Sequence, residues 1–344
     1  MRWAGVPGAS LATLSATSID SASFGLRDVA ARLPVTQATL FEAASLSKPV
    51  FAYAVLGLVH AGHLDLERPL DSYLPSPYPI DDSRGSQITA RQVLTHTSGL
   101  PNWRPGDKGP LKLQFTPGSQ YLYSGEGYFF LQTVVEHITS TSTEEFMRAT
   151  LDELGMEASS YIWRASDLAN CALPYGQDGK ALSHDTATMG QQLIAMGKAV
   201  GQPLATWRTA QSLAALPRLH PPLAAVPHNA MPNAAWSLLT TAHDYARFMQ
   251  GLLRQPKSPM LQPVVQVSDY IWRGLGLSLQ KDDGVSGFFH TGSNPGFKSV
   301  MFGDLRSGRG VVSFTNSDGG FPFNMHVVDD ELGAQPGVFY LELP

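Results

Sequence analysis

Apolar residues recur at helical spacing in one stretch near the start of the chain. Between Leu46 and Ala61, the positions Val50, Phe51, Ala54, Val55, Leu58 and Val59 share one face, which predicts a helix. Gly62 follows as its stop signal. Upstream, GASLATLSATSIDSASFGLR (8–27) is rich in small and β-tolerant residues around a polar turn, and reads as two strands of a hairpin. ARQVLTH and YFFLQTVVEHI carry helical patterns between Pro/Gly-rich loops, whereas HPPLAAVPHNAMPN (220–233) reads as a long irregular connection. AAWSLLTTAHDYARFMQGLL predicts a helix opened by a Thr241 cap with Asp244 three residues on. Near the other end LGLSLQ, GFFHTG, KSVMFGDL and GRGVVSFTN are short strands divided by Gly, Asp and Asn turns.

Strands therefore lie towards both ends of the sequence, with helices between them. This predicts an α/β (α+β) architecture: an antiparallel sheet built from both chain ends, flanked by helices, with a mostly helical domain inserted. The length of 344 residues fits two such units. The expected division is 1–53 with 236–344 for the sheet domain and 54–235 for the helical one. Interdomain clefts favour ligand sites, so the site is expected between them.

Composition narrows the function. Hydrophobic residues make up 43% and charged residues 15%, as in a globular enzyme. A net charge of -5 and the absence of a Lys/Arg cluster argue against a nucleic-acid partner. The single cysteine, Cys171, excludes an intrachain disulfide and a cysteine zinc cage, and ANCALPYG gives it no activating surroundings. MRWAGVPGASLATLS has no long apolar run after its arginine, and no segment is apolar over about 20 residues. The expectation is a soluble cytoplasmic protein without a membrane span; one already trimmed of an export signal reads the same way.

Ser45 and Lys48 in FEAASLSKPV are three residues apart, a spacing that puts both on one helix face. A serine needs a base to become a nucleophile. A lysine becomes one only when burial or a neighbouring cation lowers its pKa. The same residues also fit a helix cap followed by a surface lysine. Pro49 suits a first helical turn and places the helix start close to Ser45, where a developing anion is favoured. Ser47 lies off the Lys48 face.

Three further stretches accompany this pair: THTSGLPNW (95–103), PGSQYLYSGEGYFFL (117–131) and FFHTGSNPGF (288–297). Together with LFEAASLSKP and the helix SLLTTAHDYARFM, they make the chain resemble the serine β-lactamase and penicillin-binding-protein superfamily over nearly its whole length. The likeness is strongest to the branch of class C β-lactamases, D-alanyl-D-alanine carboxypeptidases and family VIII carboxylesterases. The resemblance implies a β-lactamase-like fold; no cofactor or metal is expected. It implies Ser45 as acylated nucleophile, Lys48 as its base and Tyr123 as general base or proton shuttle. His290, Thr291 and Gly292 fill the place of the family's Lys-Thr-Gly strand as substrate-binding residues. The backbone N–H groups of Ser45 and Ser293 would form the oxyanion hole. Gly292 and Gly296 are expected to let that strand edge approach the substrate closely.

Two positions depart from the pattern. Gly125 stands where the family's Tyr-x-Asn element carries an amide-reading Asn. His290 replaces a permanently charged lysine that suits a substrate carboxylate. Both losses affect reading of β-lactams and peptides, not acyl transfer, so ester chemistry is the expected activity. β-Lactam or D-Ala peptide hydrolysis and acyl transfer to another acceptor are the close alternatives, and a non-catalytic acylated sensor is a more distant one. The expected partner is a small ester or amide substrate.

Other residues read more plainly. Trp103 fits an acyl-pocket wall as well as a core anchor. His60, His63 and Asp65 have a metal-like look, but histidines at a helix C-terminus suit its dipole. His96 reads as a structural loop residue, Asp244 and Arg247 as i,i+3 partners on a helix surface, and Glu126 receives no role.

Overall fold

In a computed structural model of the chain, residues 1–104, 110–182, 186–226, 230–282 and 284–333 are described. The connection expected at 220–233 lies partly outside them. The chain opens with the hairpin β1 (Gly8–Ser15) and β2 (Ile19–Asp28), then β3 (Leu33–Pro34) and β4 (Phe41–Glu42). Helices α1 (Ser47–His60), α2 (Ala90–Leu94), α3 (Gly125–Thr139), α4 (Thr143–Glu153), α5 (Thr186–Ala199) and α6 (Thr209–Ala215) follow. Then come β5 (Leu239–Thr240), α7 (Ala242–Arg254), β6 (Val265–Gln266), β7 (Ile271–Arg273), β8 (Ser278–Asp282), β9 (Gly284–Asn294), β10 (Phe297–Asp304), β11 (Arg309–Thr315) and α8 (Gly320–Leu332).

Among the described residues, the main sheet runs β3-β2-β1-β11-β10-β9-β8-β7-β6 and is antiparallel throughout. The chain's two ends meet where β1 pairs β11, with Leu11 opposite Ser313. β4 and β5 form a separate short pair.

The period-2 alternation of β9–β11 assigns each residue to a layer. Phe288, Met301, Val312 and Phe314 face the large core shared with α1, α3 and α7. Phe289, Val300, Phe302 and Val311 face the opposite side, under Val328 of α8. Helix α8 escapes the sequence reading because GFPFNMHVVDDEL places a proline and two aromatics in its first turn.

Helix α7 is capped as its sequence predicts, with Thr241 Oγ1 accepting from the N–H of Asp244. Asp244 is not a surface partner of Arg247, however. It is buried, and its carboxylate accepts from the N–H of Ala158 and the hydroxyl of Ser159, each at 2.9 Å. A helix packed beneath another segment turns its first-turn acid into a tether for that segment.

Glu126, in the first turn of α3, is fully buried. It forms an ion pair with Arg104 and accepts from Tyr78 Oη at 2.7 Å. The pair ties the 101–104 loop to α3. Removing one partner of a buried ion pair strands the other. Arg104→Met is therefore expected to cost about 3–5 kcal/mol in urea denaturation, and the double variant with Glu126→Gln distinctly less.

Candidate active site

The turn preceding α1 is held from several sides. Ala43 N–H donates to Leu238 O at 2.8 Å, and Ser299 Oγ of β10 donates to Ala43 O at 2.9 Å. Ser47 Oγ donates to Ala44 O at 2.6 Å and accepts from Leu238 N–H at 3.0 Å. The phenols of Tyr161 and Tyr245 donate to the carbonyls of Ser47 and Leu46. Ala44 sits at φ 52, a left-handed conformation that costs a non-glycine residue about 1–2 kcal/mol. Ser45 follows it in a 3-10 turn, Ala44–Leu46, that leads into α1, and remains partly exposed. Ser47 is completely buried, with its hydroxyl committed to the backbone.

Lys48 Nζ lies 3.0 Å from Ser45 Oγ and donates to Ala235 O at 2.9 Å. The side chain is buried at 1% exposure. Burial, reinforced by the charge of Arg273, holds its pKa well below the ordinary lysine value. The cap-and-surface-lysine alternative is thereby set aside.

Tyr123 lies in the loop just before α3, and Lys48 Nζ stands 4.7 Å above its ring centroid. His96 packs against the same ring at 4.4 Å between centroids, and His290 lies at 6.1 Å. His96 also orients the loop, since its Nδ1 accepts from the N–H of Ser124, the N-cap of α3. That bond assigns its proton to Nε2. His290 Nδ1 lies 2.7 Å from Thr291 O, which assigns its proton to Nδ1. Burial first, then the charges of Arg273 and Lys48, push both imidazoles well below their usual pKa. Two neutral histidines of opposite tautomer therefore flank Tyr123.

Gly292 sits in β9 opposite Ser299. A Cβ there would lie 2.2 Å from Ser299 Oγ and 2.5 Å from Ala43 O. The room left by this glycine is thus filled by the chain itself and not held open for a substrate. It lets β9 close onto the turn that carries Ser45, and Ser293, the next residue, is exposed at that edge. Gly296 likewise admits Pro174 and adopts φ 75.

Trp103 settles against Gly125. A Cβ at Gly125 would fall 2.2 Å from its Cζ2, and its other neighbour is Trp236, with ring centroids 3.7 Å apart. The indole thus occupies the space where an Asn side chain at 125 would begin. Trp236, next to the Ala235 carbonyl that holds Lys48, and Arg273 carry no motif in the sequence that marks them as site residues.

A family model described as beta-lactamase matches residues 2–332. The chain belongs to the β-lactamase family. Within this family of serine hydrolases, "Esterase EstB" of Burkholderia gladioli is 31% identical over 185 residues, 45% of this chain and 46% of that protein. "Penicillin-binding protein 4*" of Bacillus subtilis (strain 168) is 30% identical over 151 residues, 38% of this chain and 32% of that protein. The matched stretches thus span less than half the length of these curated relatives. A class C β-lactamase structure superposes with a TM-score of 0.73 at 19% identity, covering 97% of this chain and 94% of its own. A penicillin-binding protein from Bacillus halodurans gives 0.71 at 22%, with 96% and 97% covered. These structural likenesses establish the β-lactamase-like fold.

The fit of Trp103 on Gly125 can be tested by overpacking. Gly125→Ala is expected to destabilise the protein by about 1–3 kcal/mol in urea denaturation. Adding Trp103→Ala to that variant is expected to remove the clash, so that the two substitutions are strongly non-additive.

Proposed function

We propose that the chain is a serine hydrolase that cleaves carboxylic esters of small acyl groups through a covalent acyl-enzyme. The observation that carries this reading is the 3.0 Å separation of Ser45 Oγ from a lysine that is buried and held towards its neutral form. Ser45 Oγ attacks the ester carbonyl, and its proton passes to Lys48. The oxyanion forms between the backbone N–H groups of Ser45 and Ser293, each donor contributing about 3 kcal/mol in the transition state. Tyr123, beneath Lys48, relays the proton to the departing alkoxide as the C–O bond breaks. Water, deprotonated through Tyr123, then attacks the acyl carbon and frees Ser45 with release of the carboxylic acid.

Preference for esters over β-lactams is supported by two positions. At 125 an amide-reading side chain gives way to the Trp103 indole, and at 290 a neutral imidazole stands where the family carries an ammonium. Trp103 and Trp236 offer an apolar wall against which an acyl group can pack. The esterase among the relatives points the same way. β-Lactam or D-Ala peptide hydrolysis is the second reading, supported by the penicillin-binding relative.

A panel of short-chain aryl esters, a chromogenic cephalosporin and D-amino-acid peptides separates the two. Aryl esters are expected to give the highest kcat/KM; faster turnover of the cephalosporin overturns the ester preference. Ser45→Ala is expected to lose at least about a thousandfold in kcat and to resist modification by a serine-directed fluorophosphonate. Full ester turnover by this variant contradicts the mechanism.

The pH dependence follows from Lys48 acting as base. The neutral form is active, so kcat/KM rises with pH through the Lys48 pKa. Because that pKa is lowered, the rise is complete well below the ordinary lysine range. Lys48→Arg, which cannot deprotonate, is expected to show no such plateau and to lose about 10²–10⁴ in rate.

A further inference from the structure

His290 brings no positive charge to the β9 edge, yet the region is not without a fixed cation. Arg273, the last residue of β7, is 1% exposed. Its Nη2 donates to Tyr121 Oη at 2.5 Å. Its Cζ lies 5.1 Å from the Tyr121 ring centroid and 5.8 Å from that of Tyr123. Lys48 Nζ stands over the same Tyr123 ring at 4.7 Å. Tyr121 and Tyr123, two residues apart in YLY, thus place a guanidinium and an amine around one phenol.

We propose that Arg273 is a positioning residue of this active site: a buried cation, anchored by Tyr121, that keeps the proton off Lys48 and supplies beside Tyr123 the positive potential that the His290 edge lacks. The inference rests on the Ser45–Lys48 acylation reading above. A guanidinium stays protonated at any working pH. Of two cations near one another in a buried site, the lysine is therefore the one that yields its proton. Arg273 is the second cause, after burial, of the lowered pKa of Lys48, and it acts in the same direction on His96 and His290. Among the described residues, the groups facing this pair include His96, Tyr121 and Tyr123 from the loops, Tyr128 from α3 and His290 from β9. Burial pushes the Tyr128 phenol up, and both imidazoles are held neutral.

The test follows Lys48 itself. Protein labelled with 13C at lysine Cε is titrated by NMR, with the Lys48 resonance assigned by its loss in Lys48→Met. Arg273→Met is expected to raise the Lys48 midpoint by about one pH unit or more. Arg273→Lys, which keeps the charge, is expected to restore most of the wild-type midpoint. Tyr121→Phe, which removes the anchor only, is expected to shift it partway. The acid limb of Ser45 modification by a fluorophosphonate, read by intact mass, is expected to move to higher pH in parallel, about tenfold slower on the limb for each unit. An unchanged midpoint in folded Arg273→Met overturns the proposal. If that variant does not fold, an unchanged midpoint in Tyr121→Phe does so. The two readings fail separately. A shifted midpoint in a protein inactive on esters sinks the ester assignment alone, whereas an unshifted one in an active esterase sinks the role of Arg273 alone.

Discussion

The closure of β9 onto the Ala43–Ala44 turn is the contact on which the site's geometry depends. Gly292 makes it possible, since any side chain there would collide with Ala43 O and Ser299 Oγ. The turn is also bonded to Leu238 and Ser299, and the start of α1 to Leu238, Tyr161 and Tyr245. These contacts come from far apart in sequence, so the position of Ser45 is a property of the assembled fold. They also hold Ala44 at φ 52, which an isolated turn would relax. This strain sits on the residue just before Ser45, and the surrounding bonds keep it there.

Burial of Lys48 is the second consequence. Taking an ammonium out of water is costly, and the site answers with neutralisation rather than with an acidic partner. Among the described residues, the amine finds a hydroxyl and a carbonyl as hydrogen-bond partners, Ser45 Oγ and Ala235 O. Both suit a neutral amine, which can donate to one and accept from the other. His96 and His290 obey the same logic, since each has its tautomer fixed by one backbone group. The centre thus combines groups that can exchange a proton with neighbours that do not take it away.

Much of this was legible in the sequence because it is local or periodic. The helix of Val50, Phe51, Ala54 and Val55 follows from spacing, the Thr241 cap from its residue type, and the short strands around His290 from the turn residues that divide them, and all are present. Ser45 and Lys48 stand out by residue type and spacing, Tyr123 only through the family resemblance, and the fold brings the three together. What stayed hidden depends on pairs distant in sequence. Arg273 carries no local signal, and its place in the site appears only when β7 joins the sheet beside β8. Ser47 looks redundant next to Ser45 until Leu238 reaches it. Asp244 looks like a surface group because a helix pattern does not reveal what lies over its first turn. Gly125 looks in the sequence like a missing side chain, and in the structure its space is taken by Trp103.

That last exchange bears on what the site can discriminate. An asparagine at 125 would read a substrate amide by directional hydrogen bonds, and a site built that way rejects analogues lacking the partner group strongly. An indole reads shape and apolar area instead, where one methylene changes binding by only about 1–3 kcal/mol. The charge has undergone a parallel change. A lysine on β9 would face a substrate carboxylate, whereas Arg273 lies buried against Tyr121. On the proposal above, it acts from there on Lys48 and the imidazoles through the field. On the proposed reading, the groups that move the proton are retained while those that read the substrate are replaced by less directional ones. Selectivity in such a site comes from the fit of the acyl group against Trp103 and Trp236, and tolerance of related acyl groups is its physical consequence.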